Sequence, residues 1–302
     1  MASQIDWVAV DWGTSNLRAW ALDSAGAVVA SRSSPDGMSR LSREQYPGIL
    51  ASLLADVAVS ADVLICGMAG ARQGWIEAPY IDAPADLTTL ERGAVAPEMP
   101  DDRLRPRILP GVCQRDIGAE DVMRGEETQL LGLAALLPGF EGLVVMPGTH
   151  SKWAHLSGTR LERFSSAMTG ELFDLLKTHS VLRHSLGGDL EGEDREVGFE
   201  AGLDLGLDRP QRLTATLFKV RAGALLSDRS PAWCAGFLSG LLIGAEIGGQ
   251  RDWVPGVGQV PLVGSVSLCA LYQQAFARLG IDTRIFDATD ATLAGLQAAR
   301  RG

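Results

Sequence analysis

The chain has 302 residues, enough for two domains of ordinary size, and its 46% hydrophobic content suits well-formed cores. A net charge of −10 argues against a general nucleic-acid or anionic-membrane partner, yet leaves room for one nucleotide held by local donors and a divalent cation. The apolar stretches, such as Phe237 to Ile243, are broken by Gly and Ser and fall short of the ~18 residues of a membrane span.

Trp7 to Asp11 alternates with the period of a strand, Leu17 to Leu22 is a second strand and Ala27 to Ser31 a third, with Ser24-Ala25-Gly26 as a turn. Together they predict an antiparallel meander. Ser42 to Val57 has helical spacing with Ser42 as N-cap. Asp62 to Cys66 reads as a buried strand, and the Pro-, Gly- and Ala-rich segment from Gly67 to Gly111 as loops with short strands. Ala119 to Leu137 reads as a helix stopped by Pro138-Gly139.

The second half repeats the order. Leu143 to Met146, Lys152 to Leu156 and Arg160 to Ser165 form another meander. Helices are predicted at Gly170 to Arg183, Arg195 to Leu207, Leu213 to Leu226 and Trp233 to Ile247. A strand (Val260 to Val263), a helix (Ser265 to Leu279), a strand (Thr283 to Phe286) and a last helix (Ala288 to Arg300) complete the chain. Two α/β domains of related build are expected, divided as 1–138 and 139–302.

Each meander opens on a Gly-Thr turn, in VAVDWGTSNLRAWALD (Val8 to Asp23) and LVVMPGTHSKWAHL (Leu143 to Leu156). Backbone N–H groups and Thr or Ser hydroxyls at such a turn form an anion-binding nest, and two nests suit a chain of phosphates. Asp11 stands where a strand-end carboxylate can hold a hydrated Mg²⁺, or can merely cap the turn. Four cysteines (Cys66, Cys113, Cys234, Cys269) lie too far apart for a zinc site or disulfide framework and read as small core residues. With no basic-then-apolar segment at Met1 to Asp6, a reducing cytoplasm is the expected location.

The paired hairpins resemble the phosphate-binding motifs of the actin-like ATPase superfamily, and VPLVGSVSLCALY (Val260 to Tyr272) resembles its adenosine motif. More closely, the chain resembles the 2-dehydro-3-deoxygalactonokinase family, through DWGTSNLRAW (Asp11 to Trp20), CGMAGARQGW (Cys66 to Trp75), DVMRGEETQLLG (Asp121 to Gly132), PGTHSKW (Pro147 to Trp153), MTGELF (Met168 to Phe173) and FLSGLLIGAEI (Phe237 to Ile247). The resemblance implies two RNase H-like domains with an interdomain nucleotide cleft, and transfer of the ATP γ-phosphoryl group to the 6-hydroxyl of 2-dehydro-3-deoxy-D-galactonate in galactonate breakdown. Where many superfamily members carry a second acid, this chain has Met146, so Mg²⁺ would rely on Asp11.

On this reading Gly13, Thr14, Ser15, Gly148, Thr149, Ser151 and Lys152 serve the ATP phosphates, and Gly264 and Ser265 the adenosine. A carboxylate near the start of the helix before the second hairpin takes the hydroxyl proton, with Glu127 or Glu126 first and Asp121 next. Acids are also favoured in any first helical turn, which is the blander account. Arg72, Gln73 and Trp75 suit a sugar acid by offering a fork, a paired donor and acceptor, and a flat face, whereas Thr169 and Glu171 suit substrate contact or lid packing. Rival readings are a kinase for the epimeric 2-dehydro-3-deoxygluconate, an exopolyphosphatase-like hydrolase, and a sugar or nucleotide sensor without turnover. The expected partners are the sugar acid and ATP, with no nucleic acid or membrane, and a homo-oligomer is left open.

Overall fold

The computed structural model describes residues 5–56, 60–254, 256 and 258–301. Its contacts divide the chain into two units, one of Met1–Glu141, Ala154–Ser165 and Asp287–Gly302, the other of Gly142–Trp153 and Ser166–Phe286.

In chain order the first unit contains β1 (Trp7–Trp12), β2 (Leu17–Leu22), β3 (Val28–Ser34), α1 (Tyr46–Leu53), β4 (Ala61–Gly67), β5 (Tyr80–Asp82), β6 (Ala85–Asp86), β7 (Leu104–Ile108), β8 (Gly111–Gln114), β9 (Asp121–Met123) and α2 (Glu126–Leu136). Its main sheet runs β3-β2-β1-β4-β7, with β1 antiparallel to β2 and parallel to β4. An antiparallel meander followed by two parallel strands is the ribonuclease H-like arrangement. Trp12, Tyr46, Leu50 and Ile65 form part of the core beneath it.

There follow β10 (Glu141–Met146), β11 (Ser151–Ser157), β12 (Arg160–Ala167), α3 (Thr169–His179), α4 (Arg195–Asp208), α5 (Leu213–Leu226), α6 (Pro231–Gly249), β13 (Val260–Gly264), α7 (Val266–Ala277), β14 (Thr283–Asp287) and α8 (Ala288–Ala299). Their sheet reads β12-β11-β10-β13-β14, the same strand order as the first, and β6 extends it beyond β12. The outer parts of β11 and β12 are counted with the first unit.

The observed change of unit falls at 141/142, against an expected junction at 138/139, and α8 belongs with the first unit. Backbone contact explains the placement of α8. A Cβ added to Gly132 of α2 would lie 1.8 Å from the Ala291 carbonyl oxygen, and one on Gly295 of α8 1.9 Å from that of Thr128. Asp287 caps α8 by accepting from the Thr289 and Asp290 N–H groups.

The segment of loops and short strands expected after Gly67 contains β5, β6 and β7; β7 is an edge strand pairing with β4, and Pro106 is tolerated there because no neighbour needs its missing N–H. Two local expectations differ from the structure. The helix expected from Ala119 begins only at Glu126, because Gly125 turns the chain at φ +107° and Asp121–Met123 pairs with β8 instead. The helix expected over Ser42 to Val57 is a short 3₁₀ turn plus α1, and Val57 lies outside the described residues.

By length and composition α6 could cross a membrane, but 83% of it is buried inside the protein. Gly236, Gly240 and Gly244 lie against the backbone of α4, where added Cβ atoms would meet carbonyl oxygens at 2.0 to 2.6 Å. Its apolarity is therefore satisfied by α4 and its other neighbours within the unit. All four cysteines are free and buried.

Candidate active site

In the first unit, the Gly13 N–H donates to the Asn16 carbonyl at 2.8 Å and closes the turn between β1 and β2. The segment after β3 supports it from behind: the Met38 N–H donates to the Gly13 carbonyl and the Ser39 N–H to that of Thr14. Gly37 is required there, since a Cβ would lie 2.3 Å from the Ser15 backbone. Thr14 and Ser15 are exposed, as a nest for an external anion must be.

An acidic corner adjoins this turn. Asp11 and Cys66 are register partners on β1 and β4, with the thiol 4.0 Å from Asp11 Oδ1. Burial raises the Asp11 carboxyl pKa, partly offset by the Arg18 guanidinium at 4.0 Å. Glu127, in the first turn of α2, is buried and accepts the Gly125 N–H at 2.7 Å and the Thr128 hydroxyl at 3.1 Å. Burial, then the neighbouring Glu126 charge, pushes Glu127 from its ordinary 4.5 up to about 7. Burial and both acids also push the Cys66 thiol up, which places Asp11 and Glu127 around one point. Gly67 and Gly125, both at positive φ, let the strand end and the helix start approach closely.

The three candidate bases therefore occupy different settings. Glu126 is half-buried and accepts the Arg124 N–H, while Asp121 sits on β9 and accepts the Val122 N–H. Glu127 has a pKa raised to about 7, near neutral pH, where a general base works best. Arg124 is buried over the Tyr80 ring, and its charge partly favours the ionised Glu127. Among the described residues, no group of three or more His, Cys, Asp or Glu side chains is arranged to hold a metal ion. A single strand-end carboxylate fits Mg²⁺, which keeps several waters and takes phosphate oxygens as further ligands.

The second unit repeats the supported turn. Gly148, Thr149 and His150 lie between β10 and β11, and the start of α3 stands behind them. The Glu171 N–H donates to the Thr149 carbonyl at 2.9 Å, its carboxylate pairs with His150, and a Cβ on Gly170 would lie 2.5 Å from the Gly148 oxygen. Glu171 is thus bound to the hairpin itself, whereas the Thr169 hydroxyl turns to Glu246. Gly37 and Gly170 play matching parts, each following the third strand of its meander. Lys152 is buried, with its ammonium 3.4 Å from the His150 carbonyl, rather than on a solvated strand face.

A cavity of about 310 Å³ opens beside this turn, lined among others by Thr149, Thr169, Phe173, Leu268, Leu271 and Tyr272. Gly264 and Ser265 are not in its wall but start the helix that is. Gly264 packs on Cys269 and Pro147, and the Ser265 hydroxyl caps α7 by accepting the Leu268 N–H. A larger cavity of about 480 Å³, beside Trp7 and Arg300 at the far end of β1, contains none of these residues.

Two expected ligand contacts are corrected by the packing. Trp75 presents no face to a sugar: it is 5% exposed, stacked on Tyr46 at 5.9 Å and edge-on to Trp12. The Ser151 hydroxyl points inward, 2.9 Å from the Tyr272 hydroxyl, and is fully buried. In the same loop as Trp75, Arg72 and Gln73 are exposed. Sequence reasoning also passed over Glu246, a buried acid on α6 that binds Trp153, Thr169 and Tyr272. The signal was there, since it is the one charge in an otherwise apolar run from Phe237 to Ile247.

Two ribonuclease H-like sheets, two supported Gly-Thr turns and a carboxylate near neutral pKa define a phosphotransferase of the sugar-kinase type. The sequence model of the family described as 2-keto-3-deoxy-galactonokinase matches residues 11–299, and the chain belongs to that family. A relative from Rhizobium meliloti (strain 1021) assigned as a 2-dehydro-3-deoxygalactonokinase is 46% identical over 297 residues, covering 98% of this chain and 96% of its own. The 2-dehydro-3-deoxygalactonokinase of Escherichia coli (strain K12) is 38% identical over 293 residues, covering 97% and 96%. A crystal structure from Sinorhizobium meliloti, described by the same activity, aligns with a TM-score of 0.91 at 45% identity and covers 98% of both chains.

Proposed function

We propose that the protein transfers the γ-phosphoryl group of ATP to the 6-hydroxyl of 2-dehydro-3-deoxy-D-galactonate, giving the 6-phosphate in D-galactonate catabolism. The observation that carries this reading is Glu127: a buried carboxylate at the start of α2, pushed up to about 7 beside the Asp11 turn, in a chain of this family. Glu127 accepts the proton of the attacking hydroxyl as the phosphoryl group arrives, and Gly125 and Thr128 hold its orientation. The exposed Thr14, Ser15 and Thr149 serve the β- and γ-phosphates on turns shaped by Gly13 and Gly148, with Lys152 adding positive charge close to the second turn. Asp11 holds Mg²⁺, which neutralises phosphate charge when bound. Arg72 and Gln73 are exposed in their loop, where a guanidinium fork suits the substrate carboxylate. Four free, buried cysteines suit a reducing cytoplasm.

A coupled ADP-release assay with the two C4-epimeric sugar acids tests the proposal. Turnover with the galactonate-derived substrate well above that with the gluconate-derived one is expected. Equal or better turnover of the gluconate epimer overturns the substrate assignment, and absence of sugar-acid-dependent ADP release overturns the kinase.

A further inference from the structure

Glu246 gathers donors from three separate elements of the second unit. Its Oε1 accepts the Trp153 indole N–H of β11 at 2.7 Å, and its Oε2 accepts the Tyr272 hydroxyl of α7 at 2.6 Å and the Thr169 hydroxyl at the start of α3. The residue is 8% exposed. Burial raises the Glu246 carboxyl pKa above its ordinary value, and the Thr169, Tyr272 and Trp153 donors work against that rise.

The protons can be assigned from this geometry. An indole N–H only donates, and all three partner groups point their donors at the Glu246 oxygens, which accept from each. Each hydroxyl has one proton, so Tyr272 and Thr169 both commit theirs to Oε2, and Ser151 donates to the Tyr272 oxygen. The Thr169 oxygen retains lone pairs alone. Thr169 and Tyr272 line the cavity beside the second turn, whose other walls include Phe173, Leu242, Leu268 and Leu271. Apolar walls with a few fixed polar atoms suit a flat base and its sugar.

We propose that Glu246 is a positioning residue that makes Thr169 a fixed hydrogen-bond acceptor in this cavity, selecting a hydroxyl or amine donor of the nucleoside and turning away phosphate oxygens. The inference rests on the nucleotide reading above and reassigns Thr169 from sugar acid to nucleoside.

Calorimetric binding of ADP, 2′-deoxy-ADP, 3′-deoxy-ADP and IDP to the intact protein tests it. Wild type is expected to bind at least one of the three analogues about tenfold more weakly than ADP, the cost of leaving a buried acceptor unpaired. Thr169→Val erases that discrimination and Thr169→Ser restores it. Glu246→Gln, whose oxygen must face the Trp153 indole and whose NH2 then meets both the Tyr272 and Thr169 hydroxyls as a donor, reverses both. It also erases the discrimination and raises KM for ATP by a larger factor than it lowers kcat. Should Glu246→Gln fail to fold, Thr169→Val carries the test alone. Equal binding of ADP and all three analogues by wild type, or unchanged discrimination in Thr169→Val, overturns the inference. A wild type that binds none of the four overturns the kinase reading with it.

Discussion

Replacing Glu127 by Gln should make the protein more stable and nearly inactive at once. The carboxyl titrates at about 7 in the folded chain, raised first by burial, against 4.5 ordinarily. Between those values the unfolded chain is ionised and the folded one is not, so stability falls as pH rises through the window and the cost is complete above it. That difference is worth roughly 3 kcal/mol at alkaline pH, an upper figure, and under about 1 kcal/mol at pH 5. Gln fills the same space, and its carbonyl oxygen still accepts the Gly125 N–H, but it has no charge to desolvate. The variant should therefore melt on the order of 5 to 10 °C above wild type at pH 8, with little difference at pH 5. Its turnover should fall by about 10²- to 10⁴-fold, the usual contribution of a general base. Calorimetric melting at the two pH values and the coupled assay measure both effects. Equal or lower stability at pH 8, or turnover within about tenfold of wild type, would refute the argument.

Other perturbations separate packing from chemistry. Trp75→Ala should cost about 3 to 5 kcal/mol in urea unfolding, whereas Arg72→Ala should leave stability within about 0.5 kcal/mol and raise KM for the sugar acid. Gly295→Ala brings a methyl group onto the Thr128 carbonyl and should force α2 and α8 apart, costing at least about 3 kcal/mol in the same measurement. Asp11→Asn should raise the Mg²⁺ concentration for half-maximal rate by about tenfold; an unchanged Mg²⁺ titration would move the metal away from Asp11.

The architecture was largely legible because period and punctuation agreed. Strands ending at Gly13 and Gly148, and helices stopped by Pro138-Gly139 or capped by Ser265, follow from local chemistry alone. Short strands were expected after Gly67, but β7 could not be placed, because Pro106 and its alternating arginines look like loop until an edge position is known. The helix boundary at Gly125 depended on a positive φ that composition does not show. At the site, the residue types were readable but their facing was not. Trp75 in a loop and Ser151 in a donor-rich turn invite ligand readings, and only tertiary packing turns both inward. Glu246 could have been found by asking what neutralises one acid in an apolar helix. Its partners lie 77, 93 and 26 residues away, beyond the reach of any local pattern.

The central claim is phosphoryl transfer from ATP to the C6 oxygen of the sugar acid, and ³¹P NMR of the complete reaction tests it most directly. ADP should appear together with an equal amount of a phosphomonoester whose phosphorus couples to the C6 methylene protons. Inorganic phosphate with no phosphomonoester, or a phosphomonoester coupled to any other position, would contradict it.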